Sequence, residues 1–294
     1  MAPEPSNLKA SFWMAGSITC FLVMSVAGRV ATAELDVFQV MEMRSVIGFF
    51  MLLPLVYAAG GFRAMATKRP LLHIGRNIAH YAGQYGWLYA LTLIPLAELI
   101  SIEFTTPFWT AILAVIFLGE RLNAARIAAI MLGVAGVAII VRPNVGAVDP
   151  GHLVMLATAM VFAISLVMVK SMTRTESVVR IIFWMLIIQS AIGLVPAIQV
   201  WRTPSADIWP AILVIAFTGT FSHFCLARAL SYADATFIMP IDFFRVPLSA
   251  LIGFMLYSER IDMFTAAGAA LILMGNLLNL PRRARAKEPE TVAP

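Results

Sequence analysis

The sequence predicts an all-α integral membrane protein of about ten transmembrane helices, arranged as two inverted five-helix halves. Three observations carry that reading. Of its 294 residues, 61% are hydrophobic and 13% charged, against roughly 45–50% and about 25% in a soluble domain, so the charges are too few to cover a water-facing surface. The apolar residues come in runs of about 20, the length that crosses a hydrocarbon core of roughly 30 Å. The second half of the chain repeats the first at an offset of 139 residues.

In order, the runs span 10–31, 37–58, 74–93, 96–118, 124–141, 151–171, 178–200, 208–229, 234–256 and 262–280. The gaps are short and carry turn chemistry, as in Gly60-Gly61, Lys68-Arg69-Pro70, Pro143-Asn144, Asp149-Pro150-Gly151 and Thr203-Pro204-Ser205. None is long enough for a soluble domain. Two units follow, 10–141 and 151–280, and the polar stretch 281–294 reads as a disordered cytoplasmic tail. Lys9, the first run and Ala31-Thr32-Ala33 imitate a secretion signal and its cleavage site. The run is longer than the roughly 7–15 residues of a signal core, and cleavage would destroy the repeat.

Lys and Arg set the expected orientation. With the N-terminus inside, fifteen of the 21 cations fall on the cytoplasmic side: Lys9, Arg63, Lys68, Arg69, Arg76, Arg121, Arg126, Lys170, Arg174, Arg180, Arg228, Arg282, Arg283, Arg285 and Lys287. Four fall opposite, at Arg29, Arg142, Arg202 and Arg260, and Arg44 and Arg245 lie within runs. Both termini are therefore expected in the cytoplasm, which requires an even number of spans. The pI near 9.5 reports this bias rather than a nucleic-acid partner, because the cations sit in gaps between apolar runs. Cys20 and Cys225 each lie inside a run without a CxxC or His/Cys cluster; neither a metal nor a cofactor is expected.

The offset of 139 sets Leu118-Gly119-Glu120-Arg121-Leu122 on Tyr257-Ser258-Glu259-Arg260-Ile261, Gly136 on Gly275, and Ala90-Leu91-Thr92 on Ala229-Leu230-Ser231. Five spans per half make the second half enter the membrane from the opposite side, the architecture of many secondary transporters, whose substrate site lies at the midplane between the halves. The stretch from Ile102-Glu103-Phe104-Thr105-Thr106-Pro107 through Leu118–Leu122 to Leu132-Gly133-Val134-Ala135-Gly136 resembles the end of an EamA domain of the drug/metabolite transporter superfamily, with a second copy ending at Met274-Gly275. Within that superfamily the chain is similar to YddG-type bacterial exporters of aromatic amino acids. The second copy has Ser258 where Gly119 stands, a departure expected to affect a turn.

Polar side chains inside spans are costly and mark candidate transport residues. Glu103, Thr106 and Thr110 share one helix face, and the offset carries them onto Asp242, Arg245 and Ser249. His80, Gln84 and Trp87 form a second stripe, with Gln84 mapping onto His223, and Trp13 and Ser17 begin a third. Tyr81 and Trp109 complete an aromatic set with Trp13 and Trp87. Each residue has a structural alternative. Asp242 and Arg245 are spaced to pair with each other; Glu103 lacks a cation in its own turn, and Arg44 is a partner available across helices. Glu42 and Arg44 equally suit a rim position, His80 and His223 suit satisfied core histidines, and Trp87 and Trp109 suit packing. Glu120-Arg121 and Glu259-Arg260 fit helix capping and bridging, and Ala125, Ala129 and Gly133, four apart, fit close helix packing.

The resemblance implies a carrier, not an enzyme, that exports small metabolites, amino acids above all, across the bacterial inner membrane by alternating access. Its partners are then a small solute and the bilayer, with a homodimer left open. An intramembrane enzyme is the runner-up, without HExxH, GxSxG or a Cys/His pair to support it. A channel comes third, without a recognisable filter or pore ring.

Overall fold

The structure, a computed structural model, describes residues 6–118, 124–142, 148–172, 175–233, 235–260 and 262–279. Among them every regular element is helical: α1 (Asn7–Glu34), α2 (Val37–Ala58), α3 (Pro70–Leu93), α4 (Leu96–Glu103), α5 (Thr106–Leu118), α6 (Ala124–Val141), α7 (Pro150–Met172), α8 (Val178–Gln199), α9 (Trp209–Tyr232), α10 (Ala235–Asp242), α11 (Arg245–Tyr257) and α12 (Met263–Asn279), with 3-10 turns at Phe62–Met65 and Ala206–Ile208. Seven segments of the described residues are long and apolar enough to cross a membrane, and Ile127–Val141 and Met263–Leu278 are shorter apolar helices.

Local chemistry sets several helix starts. Asp36 caps α2 by accepting from the Phe38 amide at 2.8 Å, Ser177 caps α8 from Arg180 at 3.3 Å, and Pro70 opens α3 where no N–H is needed. Ser258 ends α11 with φ 54° and ψ 25°, a left-handed cap that glycine adopts at lower cost. The Ser-for-Gly difference between the halves thus falls on a turn. The partner turn at Gly119, with Glu120 and Arg121, lies outside the described residues, as do Pro143-Asn144 and the tail 281–294.

The structure corrects one expectation about the spans. Runs 96–118 and 234–256 are not continuous helices; each breaks, at 104–105 and at 243–244. Proline is the cause in both. Pro107 has no N–H for the carbonyl of Glu103, which accepts instead from the Thr106 hydroxyl at 2.6 Å. Pro247 likewise leaves the carbonyl of Phe243, which takes the Val246 amide at 3.1 Å. The two breaks coincide under the 139-residue offset, so each half carries an eight-residue helix of about 12 Å followed by a 13-residue helix of about 20 Å.

Packing runs between halves. α1 lies along α9 and α3 along α7, which are equivalent pairs under the repeat, while α2 packs on its own equivalent α8 and α6 on α12. A two-fold relation between the halves requires this pairing. At the α6–α12 crossing the backbones nearly touch: a Cβ on Gly136 would stand 2.6 Å from the Gly268 carbonyl, and one on Gly275 would stand 2.7 Å from that of Ala129. Gly136 and Gly275 are repeat equivalents, as are Ala129 and Gly268. Small residues are thus used where helices must approach closely.

Candidate functional site

The two helix breaks bring the polar stripes together. Arg245, first residue of α11, reaches Glu103, last residue of α4, with Nη1 to Oε1 at 3.0 Å, and Asp242 across its own break with Nη2 to Oδ2 at 2.6 Å. The partner of Glu103 is therefore Arg245 of the other half rather than Arg44. Trp87 of α3 donates its indole N–H to the other Glu103 oxygen at 2.7 Å. The Arg245 guanidinium lies over the rings of Phe21 and Phe104, at 4.5 and 4.6 Å, and Phe21 meets Trp87 edge to face at 5.5 Å. The ionic side chains are 13–16% exposed. With both carboxylates ionised, the trio carries one net negative charge inside an aromatic frame, an arrangement suited to a cation.

A second polar group lies along α3 towards its N-terminus. Gln84 accepts from Arg44, Arg44 also reaches Gln189 at 3.4 Å, and Gln189 meets Nδ1 of His80 at 2.8 Å. The rings of His80 and His223 lie 6.4 Å apart. Neither Glu42 nor Arg44 sits free at a rim. Glu42 is 5% exposed, and its Oε2 and the Tyr81 hydroxyl both crowd the bare Cα of Gly193, where a Cβ would stand 2.7 and 2.8 Å from them.

The remaining predicted residues lie apart from this centre. Trp13 packs against Phe224 at 5.9 Å beneath Arg228, and Ser17 donates to the Ser222 carbonyl at 3.0 Å. Thr106 donates its hydroxyl across the break to the Glu103 carbonyl, and Thr110 and Ser249 turn theirs back on their own helices. Trp109 lines a separate apolar cleft of about 240 Å³ between α5, α6 and Leu156 of α7. Phe21 and Phe104 were not anticipated. Phe21 continues the Trp13, Ser17 series at the same four-residue step, which is the signal that marks it.

One end of the bundle is tied across the halves. Arg29 of α1 pairs with Glu259, donates to the carbonyls of Leu91 and Ile94 and stacks on Tyr257. The other Glu259 oxygen accepts from the Leu96 amide at 3.0 Å, at the start of α4. Glu98 meets His152 at 2.6 Å and Thr265 at 3.2 Å. The capping and bridging role read for Glu259 is what the geometry displays, whereas Glu98 and Arg29 carry no distinguishing sequence signal.

Both halves match the EamA-like transporter family, over residues 8–142 and 149–280. The chain belongs to the EamA-like transporter family. Among its relatives are the S-adenosylmethionine uptake transporter of Rickettsia prowazekii, 28% identical with 90% of each chain covered, and the riboflavin transporter of Brucella anthropi, 31% identical over 79% of this chain and 84% of that one. The pseudopaline exporter of Pseudomonas aeruginosa is 26% identical over 86% and 89% of the two chains. A crystal structure of another protein superposes with a TM-score of 0.65 at 18% identity, covering 93% of this chain and 96% of that one, and shares the fold. EamA membership makes this a multi-pass membrane transporter of small molecules.

Proposed function

We propose that this EamA protein is a ten-span secondary carrier for small solutes that join an amino-acid head to a flat or apolar body. Aromatic and other neutral amino acids, and S-adenosylmethionine, are of this kind. The observation that supports it is the Glu103–Arg245–Asp242 trio, net negative, set at the breaks of both pseudo-equivalent spans and faced by Phe21, Phe104 and Trp87. The solute's cationic group competes with Arg245 for the carboxylates, and its ring lies on the aromatic frame. Because Glu103 and Arg245 come from different halves, that exchange loosens the tie between them and lets access alternate.

Outward movement across a bacterial inner membrane is part of the reading, and cells expressing the protein should release such a solute faster than empty-vector cells. Glu103→Gln leaves a neutral trio and should lower transport of an ammonium-bearing solute at least about tenfold, with the protein still folded and inserted. Full activity of that variant would return Glu103 to a structural role. On the cation bias, both termini are read as cytoplasmic and the Arg29–Glu259 tie as lying outside. A phosphatase fused after Pro294 should therefore stay inactive, and an active fusion would overturn the topology and the inversion of the halves.

Of the aromatic set Trp13, Tyr81, Trp87 and Trp109, Trp87 lies at the trio and contributes selectivity by ring area, roughly 150–250 Å² per residue, while Trp109, in its separate cleft, enters the reading as a second aromatic contact. Trp109→Ala should reduce transport of aromatic solutes more than small ones, measured per folded molecule. Equal losses would confine Trp109 to packing at the α5–α6 cleft.

A further inference from the structure

Arg29, Arg142, Arg180 and Arg245 each meet a carboxylate. Arg44 and Arg76 meet none among the described residues. Arg44 is held by the amide oxygens of Gln84 and Gln189. Arg76, counted above with the cytoplasmic cations, is instead buried in α3 with 7% exposure. Its Nη1 donates to the Asn77 side chain at 2.8 Å, and its buried Nε has no partner. Glu42 forms no ion pair with either among the described residues, and its carboxylate lies against Gly193 and Tyr81.

The two arginines lie along one polar line on α3. Arg76, His80 and Gln84 follow each other at four-residue steps on α3 and so share a face. Arg44 binds the last of them, and Gln189 joins the chain through His80. His223 meets His80 across the helices, with ring centroids 6.4 Å apart. Buried charges are ordinarily paired, and a planar guanidinium is shaped for an oxyanion.

We infer that Arg44 and Arg76, with His80 and His223, form an oxyanion subsite that takes the carboxylate of the transported solute. The inference rests on the carrier reading and completes it: the solute's cation goes to the net-negative trio and its carboxylate to this positive group. Trp87, which holds Glu103, follows Gln84, which holds Arg44, by three residues on α3, less than one helical turn. A compact zwitterionic head group held at the trio therefore meets Arg44 first, and Arg76 lies a further eight residues, about 12 Å along α3, beyond Gln84. Under the 139-residue offset Arg44 and Arg76 fall on Phe183 and Ile215, so the subsite exists once and orients the solute along the bundle.

The subsite is tested by binding without flux, which separates it from the carrier reading. The full chain is placed in phosphatidylcholine nanodiscs, and thermal stability is titrated with benzoate and with its neutral isostere benzamide. Benzoate should stabilise the wild type and benzamide should not. Arg44→Gln and Arg76→Gln should each weaken the benzoate response at least about tenfold, while the ligand-free variants unfold at or above the wild-type temperature, because an uncompensated buried charge has been removed. Indifference of the wild type to benzoate overturns the proposal, as do variants that respond like the wild type or unfold much earlier without ligand. Stabilisation that appears only when phosphatidylglycerol replaces phosphatidylcholine, with no benzoate response, overturns it in favour of a lipid phosphate. Normal solute flux alongside any of these failures leaves the carrier reading standing.

Discussion

Arg245→Met is expected to abolish transport and to lower stability by about 3–5 kcal/mol, the cost of leaving buried carboxylates without their cation. Arg245 is the common partner of Glu103 and Asp242, so its loss strands two negative charges at the meeting point of the halves. The fall should be visible as early thermal unfolding in detergent micelles. The companion variant Glu103→Gln/Asp242→Asn/Arg245→Met removes the charges together and should regain most of the stability, since neutral replacement of a buried ion network is often tolerated. It should remain inactive. A triple variant that transports normally would show that the trio only holds the helices together.

Gly268→Leu should be the most damaging substitution away from the ionic centre. A Cβ there would stand 2.5 Å from the Gly136 carbonyl and 2.6 Å from the side chain of Ile140. Backbone cannot yield as a side-chain tip does, so α12 must move off α6, at a cost of roughly 3 kcal/mol or more. The loss should appear as reduced folded protein and a lower unfolding temperature. Gly61→Ala makes a useful control. Gly61 has φ 75° but no neighbour within 4 Å of an added Cβ, so backbone strain alone acts, at about 1–2 kcal/mol. If Gly268→Leu proved as stable as the wild type, the close crossing of α6 and α12 would be refuted.

How far the residues themselves disclose the site varies from one to the next. The Asp242–Arg245 pair follows from spacing on one chain segment, and the equivalence of Glu103 with Asp242 follows from the repeat. Ser258 is marked as a turn position by the glycine that stands at its equivalent. By contrast, the pairing of Glu103 with Arg245 joins residues 142 apart in sequence, and no local pattern selects that cation over Arg44. Arg76 lies six residues into α3, and nothing in the sequence marks that its side chain is buried there.

The prolines at 107 and 247 are equally visible in the sequence, yet a mean over an apolar window runs straight across them. What breaks the helix is the identity of the carbonyl four residues earlier and of the group that satisfies it, here Thr106 in one half and Val246 in the other. Composition, run length and internal repetition are properties of the chain, and they determined that this protein is an all-helical membrane protein with two related halves. Which charges meet depends on how α3, α4, α10 and α11 converge. Ion pairing and ring stacking act over a few ångströms in three dimensions, so only the tertiary structure decided that Arg245 is shared between the halves while Arg44 and Arg76 meet no carboxylate among the described residues.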